Sequence, residues 1–377
     1  MTSLKLPLAI ALACILSATA GILIVAPLTV DDNGAAPDEP KLAIVRALNH
    51  WDSGWYAQIA QDGYYYLGPL KQSPVAFFPG YALVMRPLMA IGINRYIAGE
   101  LVTLLCGLAA LFLLIRWEAK VRARQQLAPG TTGMVALALY PFAFYLYGVM
   151  YSDATYLLLA VAAFICLEDD RPAVAAVFGA LATACRPIVF ALMVGLLVRS
   201  LELRIRSGQK IRLVDLLPAF AGLGFAAYMF YLWVDFDDPL AFAHVQSAAG
   251  WDQPPGFDTW AKVAWFKVMF PKVAPIVALR LGGHALATLL ALALVIPTWK
   301  KLGPGYGLYC LIALGLPALS SKDFMGLGRY AIAAFPIFLA LGLMLEERPR
   351  VRKIWLSASA ALLLVLAFNF GAGSYVS

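Results

Sequence analysis

Apolar segments long enough to cross a bilayer recur between residue 6 and residue 372, with short basic clusters between them. A helix needs about twenty apolar residues to span a hydrocarbon core of about 30 Å. The chain is 62% apolar and only 14% charged, so it has too little polar surface to enclose a core in water. The sequence therefore predicts a single all-helical, multi-pass integral membrane domain over residues 1–377 and argues against a soluble globular fold.

The segments predict about eleven transmembrane helices, within a range of roughly ten to thirteen. The expected spans are residues 6–28, 97–115, 132–150, 154–168, 173–198 (divided in two), 213–234, 273–297, 305–320, 330–345 and 354–372. Pro187 divides the fifth stretch into two short helices, and Pro79 and Pro87 make residues 77–93 an interfacial or re-entrant piece. Residues 18–20 also fit a signal-peptidase site, but the apolar run continues to Leu28, which favours a retained first helix.

Basic clusters give the expected orientation. They lie at residues 116–124, 199–212, 300–301 and 348–353, and cytoplasmic loops are the segments enriched in Lys and Arg. The net charge of +7 is then a topological signal, and no nucleic-acid partner is expected. Residues 29–95 become a first extracytoplasmic loop with interfacial helices, and residues 235–272 become a second. Membrane lipids are the expected surroundings of the basic clusters.

Cysteine and histidine spacing points to no metal site. The five cysteines lie in apolar segments without a CxxC pair, and His50, His244 and His284 show no HExxH-type spacing. We therefore expect neither a metal ion nor another cofactor.

The first group of candidate functional residues surrounds Asp52 in the first outer loop. Trp51, Trp55 and Tyr56 flank this carboxylate, and partial desolvation at the membrane interface raises the basicity of such a group. Asp52 would then suit the role of a general base that removes a proton from a hydroxyl group. His50 could orient Asp52 or bind an acceptor. The alternative is a helix N-cap aspartate among interfacial aromatic residues.

Two further outer turns carry cations that could hold a phosphate. An unpaired Arg186 at the helix break would cost on the order of 3 kcal/mol, so it should bind an anionic ligand, pair with Asp153 or reach the interface. Lys322 and Arg329 flank two glycines in a compact turn, although ordinary turn chemistry explains the glycines equally well.

Two other outer segments allow both a functional and an ordinary interpretation. Residues 151–153 (Tyr-Ser-Asp) could contribute to a site or simply cap the following helix. Trp251 and Asp252 belong either to a lid or acceptor groove or to an unspecific surface loop.

Several of these motifs, taken in order along the chain, resemble the PIG-V family, whose eukaryotic members are the GPI mannosyltransferases that add the second mannose. The matching residues are His50-Trp51-Asp52-Ser53 with Tyr56, Ala76-Phe77-Phe78-Pro79, Tyr151-Ser152-Asp153, Ala184 to Arg186, and Gly328-Arg329-Tyr330 with Phe335-Pro336. The first block is fairly specific, and the later blocks gain value from their order.

The resemblance implies a GT-C glycosyltransferase with an extracytoplasmic active site. The donor would be a polyprenyl-phosphate sugar, most often mannose, and the acceptor a glycolipid or glycan; the reaction would be inverting and metal-independent. Asp52 matches the proposed catalytic base, and Arg186 and Arg329 match positions near the donor phosphate, where Lys322 could assist. The expected supporting or acceptor-binding residues are His50, Trp51, Tyr56, Tyr151, Asp153 and Tyr330.

The chain departs from the family pattern at several positions. Lys71 and Gln72 stand where an acidic residue is expected, Gly80 replaces leucine, Asp153 replaces glutamate and Pro187 replaces serine. These changes predict a bacterial relative in the plasma membrane with an acceptor other than a GPI precursor. The rival hypotheses are a transporter or flippase coupled through Arg186 and Asp153, and an inactive scaffold beside a partner subunit.

Overall fold

The computed structural model describes residues 5–29, 38–270 and 275–376, and all regular structure in these ranges is helical. The α-helices are α1 (Lys5–Thr29), α2 (Ala43–Leu48), α3 (Ser53–Asp62), α4 (Pro79–Ala90), α5 (Arg95–Arg124), α6 (Thr132–Ala138), α7 (Asp153–Glu168), α8 (Pro172–Thr183), α9 (Val189–Arg206), α10 (Leu223–Phe236), α11 (Ala241–His244), α12 (Phe257–Trp260), α13 (Val263–Met269), α14 (Pro275–Ala293), α15 (Val295–Leu302), α16 (Pro304–Ser320), α17 (Leu327–Tyr330), α18 (Pro336–Glu346) and α19 (Pro349–Gly371). Short 3-10 helices occupy Pro74–Ala76, Ala143–Leu146, Leu213–Gly222 and Val245–Ser247. Parts of the predicted outer loops, residues 30–37 and 271–272, and the start of the predicted span 273–297 lie outside the described residues.

Within those ranges, four helical stretches are long and apolar enough to cross a membrane: Arg95–Arg124, Leu213–Phe236, Val277–Leu302 and Pro349–Gly371. Shorter apolar helices cover Leu12–Ala26, Pro172–Thr183, Pro304–Ser320 and Pro336–Glu346. Large apolar side chains such as Leu105, Phe230 and Ile354 remain exposed on the long helices, as expected for surfaces that face lipid. The protein is therefore an integral membrane protein with an all-helical fold.

Three helix boundaries bear on the sequence predictions. The predicted break at Pro187 is present, because α8 ends at Thr183 and α9 begins at Val189. The predicted span 132–150 is wrong as a continuous helix: α6 ends at Ala138, and Pro141 follows three residues later. The predicted span 330–345 also begins late, because α18 begins at Pro336.

The segment predicted to be interfacial forms α4, which has only 12 residues. A helix of that length covers about 18 Å, which is too short to cross a hydrocarbon core.

Helix α7 lies at the centre of the bundle, where it packs against α5, α8 and α9. Its buried Tyr156 and Phe164 belong to the main apolar core. Gly107 of α5 brings that helix against the Leu146 carbonyl, where a Cβ atom would lie only 1.9 Å from the oxygen. Small residues permit such close approaches between membrane helices, and this one fixes the chain just before residues 151–153.

The two ends of the bundle differ in their charged residues. One end, which carries the basic clusters, holds buried ion pairs such as Arg122 with Glu118 and Arg199 with Glu168. The other end collects the long loops, the turn between α8 and α9, and the segment before α17. The predicted site residues belong to this second end.

Candidate active site

Four charged side chains that are distant in sequence come together at the end of the bundle that collects the long loops, called the loop end below. Asp52 precedes α3, Asp153 begins α7, Arg186 lies in the turn after α8, and Arg329 lies in α17. The Nη1 atom of Arg329 is 3.9 Å from an Asp52 carboxylate oxygen, and its Nε atom is 3.8 Å from an Asp153 oxygen. Arg186 Nη1 donates a hydrogen bond to the other Asp153 oxygen. Two carboxylates and two guanidinium groups thus form one cluster, called the charged cluster below.

Asp52 stands at the N-cap position of α3, but its side chain makes no capping hydrogen bond in the described part of the chain. The preceding Trp51 has a left-handed backbone, with φ 58°. The Asp52 amide donates a hydrogen bond of 3.2 Å to the Tyr151 hydroxyl, which in turn lies 3.3 Å from the His50 carbonyl and donates to it. These contacts leave the Asp52 carboxylate beside Arg329, so the N-cap alternative does not describe its side chain.

Arg186 and Asp153 form a buried ion pair. Pairing with Asp153 is one of the possibilities that the sequence left open for Arg186. Both residues are almost fully buried. Asp153 is the first residue of α7, and Arg186 reaches it from a turn that Pro187 keeps out of helical geometry. The guanidinium of Arg186 also lies 5.1 Å from the centre of the Tyr330 ring. Pairing with the carboxylate offsets the desolvation of the arginine.

Arg329 is only 7% exposed, yet its Nε and Nη1 atoms have no hydrogen-bond partner among the residues that the structure describes. Its distances to the two aspartates are too long for hydrogen bonds. The rings of Tyr145, Tyr151 and Tyr330 surround the guanidinium at 5.0, 4.8 and 5.4 Å. Buried donors of this kind usually have partners, so the geometry suits an anion that would accept both N–H groups.

The Asp52 carboxylate is half-buried, with 31% of its side chain exposed. Burial raises the pKa of the Asp52 carboxyl group above its ordinary range; the Arg329 guanidinium opposes this rise and Asp153 adds to it. Asp52 is therefore more basic than an exposed carboxylate, as a general base requires. Burial lowers the pKa of the neighbouring His50, whose ring packs edge-on against Phe370.

Three other residues predicted for the site also lie at this end. The Tyr56 hydroxyl is 2.9 Å from the Ser152 hydroxyl, which ties α3 to the start of α7. Tyr330 contacts the guanidinium groups of both arginines of the charged cluster. Trp51 is exposed, and its ring meets that of Tyr375.

Lys322 bonds to the second outer loop. Its Nζ atom is 2.9 Å from the Trp251 carbonyl oxygen and 3.5 Å from an Asp252 carboxylate oxygen. These contacts join the turn before Arg329 to residues 251–252. The role of Lys322 in holding a phosphate remains a prediction.

Sequence reasoning missed Tyr145, Tyr375 and His284. Tyr145 lies within an apolar segment whose many aromatic residues suggested only a membrane span, although their density is a signal that could have indicated a functional cluster. Tyr375 follows the last predicted span and belongs to no motif. His284 is buried in α14, and its Nε2 atom is 2.9 Å from the Val376 carbonyl oxygen.

In the described ranges, no group of three or more His, Cys, Asp or Glu side chains is arranged to hold a metal ion.

No protein-family model matches the chain, and no curated protein matches it. The solved structures that resemble it include two of oligosaccharyltransferases from Archaeoglobus fulgidus. The apo form has a TM-score of 0.45 and 11% identity, covering 97% of this chain and 56% of that one. The enzyme AglB in complex with an inhibitory peptide and a dolichol-phosphate has a TM-score of 0.48 and 12% identity, covering 98% and 56%. The chain thus spans little more than half the length of each.

Proposed function

We propose that the protein is a PIG-V-like glycosyltransferase of GT-C architecture with about eleven membrane spans. It transfers a hexose from a polyprenyl-phosphate sugar to a glycolipid or glycan on the extracytoplasmic face of a bacterial plasma membrane. The resemblance to the PIG-V family favours mannose as the hexose. The observation that carries the proposal is the Asp52 carboxylate beside a buried Arg329 whose Nε and Nη1 atoms have no hydrogen-bond partner among the described residues. A base and an anion site side by side are what sugar transfer from a lipid phosphate requires.

The proposed reaction is a single displacement at the anomeric carbon. The donor phosphate accepts hydrogen bonds from Arg329, with Arg186 next to it, and these cations stabilise the negative charge as the bond between sugar and phosphate breaks. Asp52 takes the proton of the acceptor hydroxyl while the hydroxyl oxygen bonds to the anomeric carbon. The polyprenyl phosphate leaves with the bonding electron pair. One displacement with one base inverts the anomeric configuration and needs no covalent intermediate.

The test is transfer by Asp52→Asn in lipid nanodiscs, with labelled polyprenyl-phosphate mannose as donor and a glycolipid extract as acceptor. Because the amide cannot accept the proton, we expect the rate to fall by at least about 100-fold. Asp62→Asn is the matched control, since Asp62 is an exposed residue at the other end of the same helix, and it should keep wild-type activity. Wild-type turnover by the folded Asp52→Asn variant would exclude the proposed base.

A transporter or flippase remains the second candidate because Arg186 and Asp153 form a buried ion pair suited to coupling. This pair lies beside the loop residues Asp52 and Arg329, whereas coupling sites of transporters lie near the bilayer midplane. Proteoliposomes separate the two functions: movement of a fluorescent polyprenyl phosphate across the bilayer without sugar transfer would favour the flippase.

A further inference from the structure

The rings of Trp51 and Tyr375 form an exposed aromatic pair directly beside Asp52. Their centroids are 4.9 Å apart and their planes meet at 72°, so the two rings contact each other edge to face. Trp51 is 48% exposed and Tyr375 is 36% exposed, so much of both rings is not used in packing. Trp55, on the other side of Asp52, differs, because it stacks against Phe77 and is half-buried.

The segment that carries Tyr375 is fixed to α14 at two points. Arg280 Nη1 donates a hydrogen bond of 2.9 Å to the Tyr375 carbonyl, and the His284 ring bonds to the carbonyl of Val376. His284 also packs against Gly328, where a Cβ atom would lie only 3.0 Å from the imidazole Nδ1. Helix α14 thereby connects the segment of Tyr375 to Gly328, the residue before Arg329.

The backbone of Trp51 is left-handed, with φ 58°, and its ring is exposed. A left-handed conformation is unfavourable for a bulky residue, and such residues concentrate at functional sites. An arrangement with a strained backbone, an anchored partner ring and exposed aromatic faces is costly if it serves packing alone. It is expected where a ligand covers the rings.

We infer that the Trp51–Tyr375 pair is the acceptor subsite, in which a pyranose ring of the acceptor glycan packs against the exposed aromatic surface of the pair. This inference rests on the proposed function and extends it to the part of the acceptor that is recognised. The C–H groups of a pyranose ring carry slight positive charge and pack well on the negative face of an aromatic ring. A sugar held there has its hydroxyl groups beside Asp52, the proposed base, while the donor phosphate occupies the Arg329 side.

Saturation-transfer NMR tests the subsite without requiring turnover. The probe is methyl α-D-mannopyranoside, with methyl β-D-glucopyranoside as a second sugar, added to the full chain in lipid nanodiscs. We expect saturation transfer to the ring protons of at least one sugar in the wild-type protein, and its loss in Trp51→Ala and Tyr375→Ala. Tyr375→Phe keeps the ring and should keep the signal. Tyr65→Ala removes another exposed aromatic ring of the first outer loop and should also leave the signal unchanged.

Transfer assays on the same variants separate this inference from the proposed function. At limiting acceptor, Tyr375→Ala should lower the rate about tenfold, with KM for the acceptor raised and KM for the donor unchanged. Saturation transfer in a protein without transferase activity would leave the sugar subsite standing and reject the proposed function. The subsite is overturned if the wild-type protein gives no saturation transfer, or if Tyr375→Ala retains both the signal and the acceptor KM.

Discussion

At the scale of single residues, Arg329 has the central place in the charged cluster. It is the cation closest to Asp52, it also faces Asp153, and three tyrosine rings hold its guanidinium in place. A lysine could not make the same contacts, because its ammonium group is compact and strongly hydrated. In the proposed reaction Arg329 therefore influences two quantities at once: the affinity for the donor phosphate and the basicity of Asp52.

The pH dependence of transfer follows from this pairing. Burial raises the pKa of Asp52, so the rate should fall on the acidic side at a pH above the ordinary range of a carboxyl group. Arg329 opposes that rise, so in Arg329→Gln the pKa should increase further and the acidic limb should move to higher pH. The measurement is the pH profile of the rate at saturating donor. The infrared carboxyl band that Asp52→Asn removes gives the same pKa without turnover, and an unchanged or lower value in Arg329→Gln would contradict the assignment.

At the scale of helices, close contacts position the segments that carry the charged cluster. Gly107 lets α5 approach the 3-10 helix Ala143–Leu146, which leads to Tyr151 and Asp153. Gly224 of α10 similarly approaches the Ala180 carbonyl of α8, the helix that precedes Arg186. Water is absent from the hydrocarbon region, so no hydrophobic effect drives helices together there. Tight packing of this kind therefore contributes strongly to helix association.

We expect Gly107→Ala to destabilise the protein by about 1–3 kcal/mol, although alanine is the better helix former. The added Cβ atom would overlap the Leu146 carbonyl and displace the chain ahead of Tyr151. Gly283→Ala is the matched control, because a Cβ atom there meets nothing within 4 Å among the described residues. Thermal unfolding in detergent compares the two variants, and equal stability of both would show that α5 tolerates a wider spacing.

At the scale of the whole molecule, the two ends of the bundle have separate roles. The end with the basic clusters forms buried ion pairs such as Arg199 with Glu168, which joins α9 to α7. The loop end places the charged cluster beside exposed aromatic rings. The proposed orientation puts the first end in the cytoplasm and the second outside, in agreement with the enrichment of Lys and Arg in cytoplasmic loops.

Cysteine labelling tests this orientation in intact cells. A chain without its native cysteines receives either Lys71→Cys at the loop end or Lys210→Cys at the basic end, both at exposed positions. A membrane-impermeant maleimide should label position 71 in intact cells and position 210 only after lysis. The reverse pattern would invert the topology and place the charged cluster on the cytoplasmic side.

Local features were predicted where one residue type controls the local structure. Pro187 ends helical geometry wherever it stands, so the break between α8 and α9 could be read from the sequence. The span predicted over 132–150 failed because apolar composition does not distinguish a long helix from short helical pieces packed inside the bundle. The sequence also singled out Asp52, Arg186 and Arg329, but it left the partners of Arg186 open.

By itself, the sequence determined that this chain is helical and resides in a bilayer, because hydrophobic composition and proline control helix formation and membrane insertion over short stretches of the chain. Only the tertiary structure decided which charges meet. It joined Arg186 to Asp153 and brought Tyr375 to Trp51, and it gave the Nε and Nη1 atoms of Arg329 no hydrogen-bond partner within the described ranges. Contacts between residues so distant in sequence depend on how the helices pack, and that packing reflects the shapes of many side chains together rather than any local pattern.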